Sequence, residues 1–436
     1  MRARTPVVFA IFVFTAAVGP VSAWEDHTTI SHIALEAGGL ASKQLRTSEL
    51  SDFIVRNEAA LAAFLAELEA HCAAAIAEYP PLPPALAFSS NAEPDPVRRF
   101  MMALRLNPEY SPRLYRKALP GESDDGRSEI PFADLAYVLY KYPYARFYAY
   151  ESGENISALA VIASAADEPD YGFDIGLFED NDTWYGALYG WGKQPFGNPT
   201  ISYGSQAPFH MGFYNEGALV YKAAPAVRRS YPELRAVQFG RLARFAKGLG
   251  EEYWAHRFAG WALHYVQDLV MPYHASIMPG RGSAYLVWVG ALDAIGIKGP
   301  YNKVLQDVTN KHYLLEMLQL RLLSGAYAEG ERSGSLMGAL RDGPPAAAFD
   351  EGLLRTAVAR EAYKAGRKAN RALERVIRDR KAYAAIQALY EVDGYDIFTV
   401  AYGPGDKRFG EFEASFASLL GSLGTWTRAW VDFVLR

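Results

Sequence analysis

A single cysteine, Cys72, stands in 436 residues, and that scarcity excludes an intramolecular disulfide framework. Stability must then come from a packed core, with or without bound metal. Long apolar runs are also missing. The longest lies at the N-terminus, from about Pro6 to Gly19, and is too short for a comfortable membrane span. Excess positive charge is absent as well. The formal net charge is −5, so the chain is not built to grip nucleic acid by bulk charge, and no stable nucleic-acid partner is expected. No internal repeat and no strong alternating strand pattern appears, which leaves an all-α, multi-helix chain as the expected class.

What is present begins with a leader. Arg2 and Arg4 precede the apolar run, and Val21-Ser22-Ala23 forms a small-residue cleavage site. Residues 1–23 therefore read as the signal peptide of a secreted or periplasmic protein, and 24–436 as a mainly helical mature chain whose length allows one large domain or two ordinary ones. Removing 23 residues from 436 leaves 413, with Trp24 first. Half the residues are hydrophobic and 14% are aromatic, enough for a large core.

Helical patterns cover about 47–78, 98–106, 131–150, 231–248, 250–270, 301–323, 350–390 and 409–435. Residues 81–97 are Pro-rich and extended, and 151–210 read as a long loop-rich segment of the kind that carries function. On the last helix Phe409, Phe412, Phe416, Leu419, Leu423, Trp426, Trp430 and Phe433 form one apolar stripe, expected to pack on the bundle. The run AYLVWVGAL (284–292) reads as a core helix. Its alternative is a lipid-touching element with Tyr285 and Trp288 as interfacial anchors.

The chemistry concentrates in WALHYVQDLVMPYHAS, residues 261–276. His264 and Asp268 are four apart, so on a helix they share a face. Pro272 should stop the helix near 270 and let the chain swing His274 back toward the same point. Two imidazoles and a carboxylate converging in this way are metal ligands by chemistry. A second pair at the same spacing, His312 and Glu316, lies in HYLLE. Paired ligands on facing helices can hold more than one divalent ion in a bundle core.

The motif HYVQDLVMPYH, the downstream H-x-x-x-E and a Trp at the cleavage point together resemble the zinc-dependent bacterial phospholipases C of the alpha-toxin type. That family is related to the single-strand-specific zinc nucleases. The resemblance implies a mainly helical fold and three Zn²⁺ ions. One ion would take Asp170 (in EPDY), His210 (in APFHMGF), His264 and Asp268. A second would take His274, His312 and Glu316. A third would take the Trp24 amine and carbonyl, His32 and a bridging Asp268. His27 competes with His32, and Asp167 and Asp174 compete with Asp170. His71 and His256 read as structural, as does His27 where it is not a ligand. Two intervals, Trp24 to Asp170 and His274 to His312, are longer here than in those phospholipases. Residues 350–436 read helical, leaving no room for the toxin's C-terminal lipid-binding sandwich.

Zinc lowers the pKa of a bound water to about 7 and can hold both oxygens of an in-line phosphoryl displacement. The activity that the resemblance implies is hydrolysis of phospholipid phosphodiesters, with Asp170 as the catalytic carboxylate beside the attacking water. Tyr171 would contact the head group or simply pack. The expected partners are a phospholipid or another phosphodiester, with membrane-surface contact as a further class. The competing readings are a nuclease or nucleotidase on the same metals, and a non-catalytic zinc-stabilised lipid-binding protein.

Overall fold

The computed structural model describes residues 26–137, 145–346, 348–390 and 395–436. The expected signal peptide and Trp24 lie outside the described residues. The chain is all-α, with 59% of residues helical and 4% in strands.

The helices that build the site and its surroundings are, in chain order, α1 (His27–Leu35), α2 (Glu58–Ala75), α3 (Ala158–Ala165), α4 (Ser202–His210), α5 (Ala218–Ala223), α6 (Pro232–Gly248), α7 (Glu252–Val270), α8 (Pro272–Ala275), α9 (Ser283–Ala294), α10 (Gly299–Gln319), α11 (Ser335–Asp342), α12 (Ala359–Val376) and α13 (Lys407–Leu435). Two short antiparallel ladders accompany them, Gln44–Arg46 with Asn155–Ser157 and Tyr115–Lys117 with Phe147–Ala149. The second ladder corrects the expected helix over 131–150. In its described parts that stretch holds a 3₁₀ turn, Phe132–Asp134, and the strand. The aromatic-rich run RFYAY suits a pleated, half-buried surface better than a helix.

Helix α7 is the axis of the fold, and every residue from Tyr253 to Val270 is buried. A helix enclosed on all sides must be covered all round by others. Helix α6 covers one flank, and α3 and α13 cover the rest. The turn between α6 and α7 uses Gly250 at φ +77°, a left-handed geometry that glycine adopts without strain. At Gly260 a Cβ would sit 2.6 Å from both the Ile162 carbonyl and Ala165 Cβ. This close crossing seats the end of α3, and the turn that follows it, directly on α7.

The expected stop at Pro272 is present. Helix α7 ends at Val270, Met271 is extended, and Pro272 opens the single turn α8 that carries His274. The stripe on α13 is buried against the bundle from Phe409 to Trp430, and Phe433 at its end is partly buried. The segment 151–210 is less irregular than its composition implies, because α3 and α4 lie within it.

Candidate metal centre

Six structural segments deliver side chains to one buried region. Helix α7 supplies His264 and Asp268 from one face. The 3₁₀ turn Glu168–Tyr171 supplies Asp170. It is clamped onto α7 by Glu168, which accepts from the Arg257 guanidinium and from Trp261 Nε1. The end of α4 supplies His210, and the start of α1 supplies His27. Helix α8 supplies His274, beside the His312–Glu316 pair of α10.

At the centre His264 Nε2 lies 3.0 Å from His210 Nδ1 and 3.4 Å from Asp268 Oδ2. His210 Nδ1 is 2.9 Å from the same Asp268 oxygen. Asp170 Oδ1 faces both rings, 3.7 Å from His264 Nε2 and 3.8 Å from His210 Nδ1. Asp268 Oδ1 looks the other way, 3.8 Å from His27 Nε2 and 3.8 Å from His274 Nδ1. One oxygen of the carboxylate thus faces His210 and His264 and the other faces His27 Nε2, the division a bridging ligand needs. The His274 and His312 rings are 4.9 Å apart, and His312 Nε2 is 2.9 Å from Glu316 Oε1.

The imidazole tautomers follow from the outer partners. His264 Nδ1 lies 2.8 Å from the Ala166 carbonyl, His274 Nδ1 3.0 Å from the His210 carbonyl, and His27 Nδ1 2.7 Å from Gln267 Oε1. A carbonyl oxygen only accepts, so each Nδ1 carries the proton and donates. Each Nε2 is left with its lone pair turned inward. His27 Nε2, His274 Nε2 and Asp268 Oδ1 are buried there without a hydrogen-bond partner among the described residues. Buried polar atoms are seldom left in this way unless something else binds them. Nδ1 anchored on an oxygen acceptor with Nε2 free is the arrangement that metal-ligating histidines need. A tetrahedral zinc with bonds of about 2.0–2.2 Å holds its ligand atoms about 3.3–3.6 Å apart. The distances of 2.9 to 3.8 Å among His210, His264, Asp170 and Asp268 bracket that spacing.

The electrostatics point the same way. Burial, and next the carboxylates of Asp170 and Asp174, push the Asp268 carboxyl far above the usual range. Burial, reinforced by neighbouring imidazoles, holds His210, His264 and His312 well below the usual histidine range. Burial takes His274 to about 3. Neutral imidazoles beside a carboxylate deprived of countercharge form a donor set that a divalent cation would satisfy.

The scaffold laces the ligands together. The Gly212 N–H donates to the His274 carbonyl at 2.8 Å, while His274 Nδ1 donates back to the His210 carbonyl. Asp174 lies 3.6 Å from His210 Nε2 and is fixed by Arg235 and by the Tyr265 hydroxyl, which donates to it at 2.6 Å. Asp174 is therefore a support for His210. Asp167 belongs to a different network, in which it and Asp26 hold Lys117 at 2.6 and 2.9 Å. Among the three acids of this turn, Asp170 is the one directed at the centre.

His32 is not brought in. Its side chain is partly exposed, 3.9 Å from Glu36 and edge-on to Tyr327. Five helical residues turn through about 140°, so His27 and His32 cannot both face α7. His27, not His32, occupies the inner face of α1, which corrects the sequence expectation. His256 donates to the Glu252 carbonyl and His71 faces Glu351, both away from the centre. Tyr171 is buried edge-on to Phe132 and Phe147 and packs. Sequence reasoning missed Gln267 and the Ala166 carbonyl altogether. Nothing in spacing marks a backbone oxygen, and Gln267 is legible only once His27 is placed.

Comparison of the chain with protein-family models, with curated proteins and with solved structures finds no match to any of the three.

Proposed function

We propose that the chain is an exported zinc-dependent phosphodiester hydrolase of the phospholipase C type. The observation that carries this reading is the common orientation of His27, His264 and His274. Each has Nδ1 tied to an oxygen acceptor; His27 and His264 turn Nε2 toward Asp268, and His274 Nε2 is buried without a hydrogen-bond partner among the described residues. In this reading Asp170, His210, His264 and Asp268 hold one ion, and His274, His312 and Glu316 hold a second. His27 takes the place given to His32 beside Trp24 and the bridging Asp268. Zinc bound there supplies a Lewis acid for a phosphoryl oxygen and a water acidified to near neutrality. Asp170 Oδ1, which faces His264 and His210, would be the ligand atom, and the other oxygen of that carboxylate would take a proton from the attacking water. Asp174, Gln267 and the Ala166 carbonyl keep the rings oriented so that no reorganisation is needed during the reaction.

One observation favours a second reading. The side chains of the ligand set, from His27 to Glu316, are each no more than 5% exposed. So enclosed a cluster also suits a metal that stabilises the fold without turnover. The test is to load the purified protein with zinc and to assay phosphatidylcholine vesicles and single-stranded DNA in parallel. Zinc-dependent release of the phosphorylated head group supports the phospholipase reading. Cleavage of DNA alone replaces it with the nuclease reading. Bound zinc that raises stability without either activity replaces it with the scaffold reading.

A further inference from the structure

We infer that the layer formed by α5, α9 and the first half of α10 is a docking surface for an anionic lipid bilayer. This layer has its own small core, separate from the main one, built on Val220, Val227, Ile277, Val289, Tyr301 and Val304. That core uses only the inner side of α9. The outer side carries an apolar ridge of the exposed Trp288, Ile295 and Ile297, flanked by Tyr285, which is partly buried against the small core. Tyr285 and Trp288 stand with ring centroids 5.9 Å apart, and Arg281 lies over the Tyr285 ring. Leu292 and Ile295 continue the ridge at helical spacing. Trp288 is 54% exposed, Ile295 72% and Ile297 50%, and Leu219 on the adjoining α5 is 57% exposed. Of the ten large hydrophobic side chains exposed among the described residues, these four fall in this one layer. The concentration is thus local and is not a general property of the surface.

Charge selects the occupant. Residues 276–306 carry Arg281, Lys298 and Lys303 against the single acid Asp293. Residues 217–229 carry Lys222, Arg228 and Arg229 and no acid. Six cations thus stand in this layer against Asp293 and two acids already engaged, Glu216 on Ser276 and Ile277 and Asp307 on Lys311, in a chain whose net charge is −5. Lys298 and Lys303 are exposed and make no ion pair among the described residues. Arg228 lies over the Tyr221 ring, and Arg229 is held by the carbonyls of Trp191 and Lys193, and neither makes an ion pair among the described residues. An apolar ridge with an aromatic at its middle and a basic rim lies in the plane of an anionic interface. The aliphatic groups enter the acyl boundary and the cations meet the head groups. No described helix is long and apolar enough to cross a membrane, so the contact is with the surface.

The surface is coupled to the metal centre through α10. Tyr301 and Val304 belong to the small core, and His312 follows 11 residues after Tyr301, about 16 Å further along the same helix. Near α8, Glu216 at the start of α5 accepts from Ser276 Oγ at 2.9 Å and from the Ile277 N–H at 2.8 Å, two and three residues past His274. The inference rests on the hydrolase reading for its purpose, since that reading makes a lipid surface worth reaching. It does not rest on it for its physics.

The test is flotation of the full-length protein with phosphatidylglycerol-rich vesicles and with pure phosphatidylcholine vesicles, read as bound protein without turnover. Hydrolysis of a soluble diester, bis(p-nitrophenyl) phosphate, is measured separately. Binding to the phosphatidylglycerol vesicles that weakens with salt is expected. Lys298→Glu and Lys303→Glu, which touch no core, should each lower it by about fivefold or more. Trp288→Ser with Ile295→Ser should abolish it while helical content and soluble-diester turnover stay unchanged. Flotation that ignores these substitutions overturns the inference. So does equal binding to both vesicle types, or a dimer dissociated by Trp288→Ser in a protein that binds no vesicle. Turnover of the diester without flotation removes the surface and leaves the hydrolase. Flotation without turnover does the reverse.

Discussion

Replacing Gln267 with leucine isolates the role of His27. The buried Gln267 side chain makes these hydrogen bonds among the described residues. Its Oε1 accepts from His27 Nδ1 at 2.7 Å, and its Nε2 donates to Ser31 Oγ at 3.0 Å and to Thr427 Oγ1 at 3.1 Å. Leucine keeps much of the volume and removes all three bonds. The two hydroxyls can rotate toward other acceptors, but the His27 N–H cannot. A buried donor left without an acceptor costs about 1–3 kcal/mol. His27 can avoid that cost only by moving its proton to Nε2, the nitrogen that faces Asp268, which removes the inward lone pair. Loss of such an outer partner typically lowers metal affinity by about 10–100-fold. Chelator-competition titration of the metal-stripped protein measures the affinity, and urea denaturation of the same sample measures the stability. Both should fall in Gln267→Leu, and neither should change by a comparable amount in His32→Ala. A Gln267→Leu protein that is less stable yet binds zinc with unchanged affinity would refute the placement of His27 at the centre.

Further outcomes follow from the packing and from groups remote from the centre. Gly260→Ala should destabilise by about 1–3 kcal/mol in urea denaturation, because its Cβ would meet the Ile162 carbonyl at 2.6 Å and force α3 off α7. Burial, with Glu69 adding to it, pushes the Cys72 thiol up to about 12. At pH 8 the folded protein should resist alkylation by iodoacetamide, and the unfolded protein should react fully, as mass spectrometry will show. Asp406 caps α13 by accepting from the Arg408 N–H at 2.8 Å, and its pairing with the Arg408 side chain and backbone lowers its carboxyl to about 2. A depressed carboxylate contributes above its unfolded value of about 3.9 and loses that contribution as pH falls through its folded value. Amide exchange in the first turn of α13 should therefore quicken between about pH 4 and 2, and this dependence should vanish in Asp406→Ala.

Much of this organisation is legible in the sequence where a residue type admits one geometry. Pro272 must end α7, so the return of His274 toward His264 and Asp268 could be reasoned from spacing alone. The stripe on α13 and the Ala- and Leu-rich run that forms α2 were legible for the same reason. What spacing could not settle was choice among near neighbours. His27 and His32 both sit on α1, and only the rotation of that helix against α7 decides between them. Asp167, Asp170 and Asp174 lie within one short segment, and each is claimed by a different partner, Lys117, the histidines and Arg235 respectively. Helices α3 and α4 were hidden because one is short and Ala-rich and the other contains Pro208. The strand at Phe147–Ala149 owes its form to its pairing with Tyr115–Lys117, a contact that no local window contains.

The central claim is that the histidines around Asp268 bind divalent metal. Its most direct test is the zinc-to-protein ratio of the purified, gel-filtered chain, determined by inductively coupled plasma mass spectrometry. More than one zinc ion per chain is expected, with a sharp drop in Asp268→Asn because that carboxylate faces His210 and His264 through one oxygen and His27 through the other. A chain that carries no metal after saturation with zinc, and whose stability zinc does not raise, would contradict it.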